Sequence, residues 1–255
     1  MSAYKKKLVQ KFNQGRLLPA NPIFEQTFRG SVDRYSFIAR KISSHFGHNA
    51  SILDAGCGIG VFLVAMKHLG HSCTALDFDD SNFSMAPDYL NQFPFFECNL
   101  ETEKLPFKDE SFDVVVCSQV LEHFTLSHLP PVIEMRRVLK KGGMLFVDVP
   151  NVACFRNRLR LLKGKNITWD YEKHYLDAEP IVTESGAFFP HRHNREFTLS
   201  ELVLLFNRAN FSKTEGYYLK SMHLRKGWGK LKSIGTFMRD LVPSTRKTVL
   251  AVGIK

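Results

Sequence analysis

The sequence contains no apolar run of about 18 residues, so no membrane-spanning helix is expected. Its basic start, Met1 to Lys7, is not followed by an apolar stretch, so no signal peptide is expected. Cysteine is scarce: the five residues are odd in number and include no Cys-x-x-Cys pair. That argues against a disulfide framework or a zinc ribbon and suits buried free thiols in a reducing cytoplasm. No internal repeat or low-complexity tract is present, which excludes a solenoid. RRM, KH and zinc-finger signatures are absent too, so a nucleic-acid partner is not expected.

What is present is a chain of 255 residues, 44% apolar, enough for one α/β domain with an elaboration. The net charge of +10 is unevenly spread, because residues 48–135 hold 3 Lys/Arg against 13 Asp/Glu. Basic flanks therefore surround an acidic centre. Such flanks suit an anionic partner or are simply solvated.

Along the chain, residues 1–30 read as basic and then turn-rich. Ser31 caps an expected helix to Phe46, striped by Val32, Tyr35, Ile38, Ile42 and Phe46. Strands are expected at 51–54, 73–77, 95–98, 114–116 and 144–149. Helices are expected near 60–69, 81–90 and 129–139, with a turn at 140–143. Strands alternating with helices mean a parallel sheet whose ligands lie beyond the strand carboxyl ends. Residues 150–197, rich in aromatics, His and Arg, break the rhythm and read as an insertion. Thr198 and Glu201 form a capping-box pattern. Residues 216–219 and 248–252 read as two last strands.

The densest signal is Asp54-Ala55-Gly56-Cys57-Gly58-Ile59-Gly60, an apolar strand ending in a carboxylate and running through glycines into a helix. Its glycine spacing is not the Gly-x-Gly-x-x-Gly of dinucleotide dehydrogenases, and Asp54 would repel a pyrophosphate. Further signals follow in order: Asp77 ending strand two, Leu105-Pro106-Phe107 through Phe112-Asp113-Val114-Val115, Gln119-Val120-Leu121-Glu122-His123, and Leu139-Lys140-Lys141-Gly142-Gly143. On these motifs the chain resembles the class I S-adenosylmethionine (SAM)-dependent methyltransferases of the small-molecule and glycan group, over about residues 48–150 and more weakly over 190–215.

The resemblance implies a Rossmann-like, seven-stranded, mostly parallel sheet with helices on both faces and an inserted cap between strand five and the last helix. The implied organisation is an N-terminal basic segment and helix (1–47), a SAM-binding core (48–150), a cap (151–197) and a C-terminal part of the same domain (198–255). SAM is the implied cofactor. Asp54 would favour its ammonium, Gly56 and Gly58 would lie against its methionine and ribose parts, and Asp77 would accept from the ribose diol. Phe78 would lie on the adenine, with Asn99 and Leu100 at its edge. Asn99 stands where the family often has Asp. Ser118 and Gln119 would meet the methionine moiety.

The expected reaction is methylation of a hydroxyl on a sugar-containing, lipid-linked or other small-molecule acceptor, with His123 as the base or only shaping the pocket. His191 and His193 are further candidates, and Tyr171, His174 and Tyr175 weaker ones. Gln119-x-x-Glu122-His123 is also one change from the Glu-x-x-Glu-His pattern of ubiquinone-pathway and small-RNA methyltransferases, where a divalent metal is bound. No metal is expected, with metal-assisted RNA 2′-O-methylation and SAM binding without turnover as alternatives. Finally, Trp228, Leu231, Ile234, Met238 and Leu241 form an apolar stripe beside Lys226, Lys230, Lys232 and Arg239. That stripe either packs on the sheet or lies on an anionic membrane. The expected location is the cytoplasm, with the inner face of the membrane as a peripheral site.

Overall fold

A computed structural model describes residues 2–15, 17–19, 21–168, 170–183, 186–189, 192–220 and 241–255. His191 and the stripe residues Trp228, Leu231, Ile234 and Met238 lie outside the described residues.

The chain opens with two helices. The first, α1 (Ala3–Asn13), is capped by the Ser2 side chain. The sequence reading has no helix here, because the run of lysines hides the Tyr4, Leu8 and Phe12 stripe that packs against the core. The second, α2 (Pro22–Phe46), is longer than the expected helix from Ser31. Its start is set by Asn21, whose Oδ1 accepts from Ile23 N at 2.9 Å, and by Pro22 in the first turn, where no amide is needed. Phe24 and Phe28 extend the same buried stripe, and Phe28 stacks on Phe12 with centroids 4.6 Å apart.

The sheet follows. Strands β1 (Ser51–Ala55), β2 (Ser72–Asp77), β3 (Phe95–Glu97), β4 (Phe112–Ser118) and β5 (Leu139–Pro150) are parallel. A small hairpin, β6 (Ile181–Thr183) and β7 (Gly186–Phe188), stands apart from them. The last strands, β8 (Lys213–Leu219) and β9 (Thr248–Ile254), complete a seven-stranded sheet of order β3-β2-β1-β4-β5-β9-β8, with β9 antiparallel to both neighbours. This is the expected fold class. Instead of a free turn at 140–143, those residues belong to β5. There the register to β4 jumps between Phe112 and Val114, and Gly142 takes φ 75°.

Alternate residues of the central strands face opposite sides. Ile52, Val114, Val116 and Phe146 pack under α2 and α3 (Val61–His68). Leu53, Val115, Cys117 and Leu145 pack under α5 (Leu129–Val138) and α7 (Leu199–Arg208). The expected helix over 81–90 is only a 3₁₀ turn, Phe83–Met85, and the single turn α4 (Pro87–Leu90). Ala86 leaves the helical region at φ −144°, ψ 66° and Pro87 has no amide to donate, so the helix cannot run through. The capping box forms, with Thr198 N donating to Glu201 Oε2 at 2.8 Å.

The insertion holds α6 (Phe155–Leu162), a π-helical turn at Glu172–Leu176 and the hairpin. It is tied down where Val152 N donates to Phe197 O at 2.9 Å. All five cysteines are buried and free. Among the described residues no helix is long and apolar enough to cross a membrane.

Candidate active site

The glycine loop joins β1 to α3 at the carboxyl end of the sheet. Gly56 has φ 83°, and a Cβ there would sit 2.3 Å from Val120 Cγ2, so the loop is packed shut against the segment after β4. Gly58, at φ 51°, has nothing within 4 Å of its would-be Cβ. That open side is where a ligand can approach the backbone. Asp77 pins the loop: its Oδ2 accepts from Gly58 N at 2.6 Å and its Oδ1 from Phe78 N at 2.7 Å. Burial raises the Asp77 carboxyl and these two amides pull it back, leaving it above its ordinary value.

Among the described residues around the loop, carboxylates outnumber cations. Asp54 and Asp148 end β1 and β5, Glu122 follows β4, and all three are at most 2% exposed. The nearby cation is Arg34 of α2, whose Nη1 donates to Asp148 Oδ2 at 3.0 Å. Burial, then the Asp77 charge, holds the Asp54 carboxyl well above its usual range. Burial pushes Glu122 up to about 8. Glu122 Oε2 and Arg34 Nε are both buried without a hydrogen-bond partner. A ligand carrying positive charge relieves such a site, since burial disfavours uncompensated carboxylates.

Ser118 and Gln119, expected at the methionine moiety, turn their side chains to Asp148. Ser118 Oγ donates to Oδ1 at 2.7 Å and Gln119 Nε2 to Oδ2 at 2.9 Å. Gln119 N also donates to Asp148 O at 2.8 Å, with the residue held at φ 60°. At the far end of the loop Phe78 is half-buried and Leu100 buried. Asn99 Oδ1 accepts from Glu101 N at 3.0 Å, closing a local turn.

The second group of functional side chains sits where the insertion meets the 3₁₀ turn Leu121–His123. Asn194 and Arg195 amides both donate to Glu122 O, at 2.8 and 3.2 Å. His123 Nδ1 is 3.0 Å from Arg192 O, which puts the ring proton on Nδ1 and makes Nε2 the acceptor nitrogen. The His123 and His193 rings lie edge to face with centroids 5.0 Å apart. His193 Nδ1 is 3.8 Å from Glu196 Oε1. Burial alone would raise Glu196, but the His193 ring, Asn157 and the Arg156 charge bring it below its ordinary value.

One donor atom each from Glu122, His123 and His193 lies within 4.8 Å of the others. A cavity of about 270 Å³ opens beside His193, lined by Asn166, Thr168, His174, Tyr175 and Glu196 among others. Tyr175 Oη donates to His193 O at 2.6 Å. Tyr171 is 62% exposed and stacks on Tyr175.

The structure thus gathers Asp54, Gly56, Gly58 and Asp77 at one loop, and His123 and His193 at another. Sequence reasoning missed Arg34, Asp148, Asn157 and Glu196. Asp148 carried one usable signal: a lone carboxylate inside the apolar run of β5 needs a buried partner.

Residues 53–147 match the methyltransferase domain family. A mitochondrial ubiquinone biosynthesis O-methyltransferase from Mus musculus is 34% identical over 145 residues, covering 52% of this chain and 38% of that protein. A malonyl-[acyl-carrier protein] O-methyltransferase from Buchnera aphidicola is 31% identical over 141 residues, 55% of this chain and 53% of that one. The chain therefore spans about half or less of these relatives. Among solved structures, a SAM-dependent methyltransferase from Archaeoglobus fulgidus superposes with a TM-score of 0.56 at 14% identity, covering 91% of this chain and 98% of the other. A Burkholderia thailandensis 1,6-didemethyltoxoflavin-N1-methyltransferase with bound S-adenosylhomocysteine superposes at 0.53 and 14%, covering 98% and 86%. The sequence match and the shared fold fall on the same strands, β1 to β5, at whose carboxyl ends Asp54, Asp77 and Asp148 stand: residues 53–147 are a methyltransferase domain, and the chain has the fold of the class I SAM-dependent methyltransferases.

Proposed function

We propose that the protein is an O-methyltransferase acting on a sugar-containing, lipid-linked or other small-molecule acceptor, with residues 151–197 as the acceptor-facing cap on a core of residues 48–150. SAM supplies an activated methyl group, so the protein's work is to bind, orient and accept a proton. Asp54 suits its ammonium and Asp77 its ribose diol, with the backbone at Gly58 alongside and Phe78, Asn99 and Leu100 toward the adenine. The excess of buried carboxylates over cations at this loop fits a cationic cofactor.

The observation that carries the hydroxyl acceptor is His123. Its Nδ1 is committed to Arg192 O, so Nε2 is the proton acceptor, and its ring is paired with His193 beside the cavity. The test is transfer from methyl-tritiated SAM into soluble and lipid extracts of the source cells. Label in an acid- and base-stable ether on an extracted molecule supports the reading. Label confined to RNA or protein overturns it.

A second reading has its own observation. Glu122, His123 and His193 form a set of one carboxylate and two imidazoles within metal-binding reach, and Glu122 Oε2 lacks a partner. A divalent cation there would act as a Lewis acid on the acceptor hydroxyl. Gln119 does not join the set, because its side chain is held by Asp148. Titration of the purified protein with manganese, read by calorimetry, separates the readings. Binding lost in His193→Ala favours the metal, and no binding leaves His123 acting alone.

A further inference from the structure

The helix α6, Phe155–Leu162, is folded inside out. Phe155, Leu159 and Leu162 recur at helical spacing and form one stripe, yet they are 51%, 41% and 85% exposed. Leu161, nearby, is 60% exposed. The side that faces the protein is polar. Asn157 is fully buried and donates to Val152 O at 2.9 Å and Glu196 Oε2 at 2.7 Å. Arg156 donates to Asn157 Oδ1 at 2.7 Å, and Arg160 to the carbonyls of Asn166 and Thr168 at 2.6 and 2.9 Å. The helix cannot roll its leucines inward without breaking these bonds, and buried polar groups left unpaired are costly. Surface helices normally bury their apolar stripe. An apolar face held outward by buried polar anchors is a surface for a partner.

The charge around the stripe says which partner. Between Asp148 and Asp170 the chain carries five basic residues, Arg156, Arg158, Arg160, Lys163 and Lys165, and no acid. Arg158, Lys163 and Lys165 are exposed beside the apolar stripe. Arg158 also reaches Ser244 Oγ at 3.4 Å, tying α6 to the stretch where Leu241 and Val242 are 57% and 52% exposed. Phenylalanine and leucine at the centre with arginine and lysine at the rim is the composition of a helix lying in the interface of an anionic bilayer.

We infer that the outward face of α6, centred on Phe155, Leu159 and Leu162, docks the protein on an anionic lipid bilayer. From the end of α6 the chain runs directly into Asn166, Ile167 and Thr168, which line the cavity beside His193. Docking by α6 therefore holds that cavity near the lipid surface and, on the methyl-transfer reading, favours a lipid-linked acceptor. The docking itself is read without turnover, so its failure is separate from failure of that reading.

The test is co-sedimentation of the full chain with vesicles of phosphatidylcholine alone or mixed with phosphatidylglycerol. The unmodified protein should pellet with the anionic vesicles, and less so as salt rises. The triple variant Phe155→Ser, Leu159→Ser, Leu162→Ser should lower the partition coefficient by at least about tenfold. The pair Arg158→Glu, Lys163→Glu should do likewise. All these positions are exposed, so SAM binding by calorimetry should be unchanged and reports an intact fold. Protein that stays in the supernatant with anionic vesicles overturns the inference. So does a triple variant that pellets as well as the parent. If the face is covered by a second copy, sedimentation velocity shows a dimer that the triple variant dissociates, with no vesicle binding. If it is covered by residues 221–240, the triple variant melts lower and neither form binds vesicles. Either result overturns the inference.

Discussion

Arg34 Nη1 donates to Asp148 Oδ2 at 3.0 Å, joining α2 to the end of β5 across 114 residues of sequence. Asp148 is 1% exposed and also receives Ser118 Oγ and Gln119 Nε2. Three donors thus hold one buried carboxylate, and through it the left-handed turn at Gln119 that follows β4. Helix α2 is part of the site's foundation, although no motif in it announces that.

Removing the guanidinium leaves that carboxylate buried without its counter-charge, held by Ser118 and Gln119 alone. Arg34→Ala should destabilise the fold by about 3–5 kcal/mol, the range for breaking one side of a buried pair. Arg34→Met with Asp148→Asn should recover part of the loss, because neither charge then remains. Urea denaturation of the four proteins measures the cycle. A loss below about 1 kcal/mol for Arg34→Ala would mean that the pair is solvated in solution.

The legible part of the site was local. Asp54, the glycines and Asp77 each end a strand or begin a turn, so their places follow from a few neighbouring residues. Arg34 and Asp148 were illegible because each is an ordinary residue in its own element and only the fold brings them together. The start of α2 was missed for a different reason: Asn21-Pro22 reads equally as a turn or as a helix cap, and the buried Phe24 and Phe28 decide it. Residues 81–90 gave the opposite error, an apolar pattern with Pro87 inside it. The outward stripe of α6 defeats pattern reading altogether, since periodicity shows that a face exists and says nothing about which way it points.

Asp77 has two tasks, holding the Gly58 and Phe78 amides and, in the proposed complex, accepting from the ribose diol. Asp77→Ala should weaken SAM binding roughly 10- to 100-fold, equivalent to about 1.5–3 kcal/mol of charge-assisted hydrogen bonding. Calorimetric titration with S-adenosylhomocysteine gives the number. An unchanged dissociation constant in a folded variant removes Asp77 from the cofactor site.

Asp54 makes cofactor binding depend on pH. In the free protein, burial and then Asp77 raise its carboxyl well above 3.8. A bound ammonium favours the ionised form and lowers it again, so binding releases a proton and affinity rises with pH until Asp54 ionises unaided. The same raised value gives the free fold more protons than the unfolded chain. Its contribution to stability is therefore full below the unfolded carboxylate pKa and is lost as pH rises through the folded one. Asp54→Asn should raise the melting temperature of the free protein at neutral pH, weaken SAM binding and flatten its pH dependence. Titrations in two buffers of different ionisation enthalpy count the proton. Proton uptake on binding would contradict this account.

His123 and His193 have separable roles. His123 is oriented by the Arg192 carbonyl, which makes Nε2 the accepting nitrogen, whereas His193 leans on Glu196, itself fixed by Asn157. If His123 takes the acceptor's proton, His123→Ala should leave SAM affinity nearly intact and lower kcat about 100-fold or more. Glu196→Gln removes the carboxylate beside His193 without changing its size. It should loosen the hold on the ring and lower kcat less than His123→Ala does. The split between kcat and stability is the informative readout, since a carboxylate that only holds residues 151–197 in place would change stability and leave kcat as it was. Both variants should be measured with and without chelator. Parental activity that survives chelation but not His123→Ala assigns the proton to His123. Activity abolished by chelation and restored by manganese assigns the step to a cation held by Glu122, His123 and His193. Full activity in His123→Ala, with chelator present, would leave that residue only shaping the pocket.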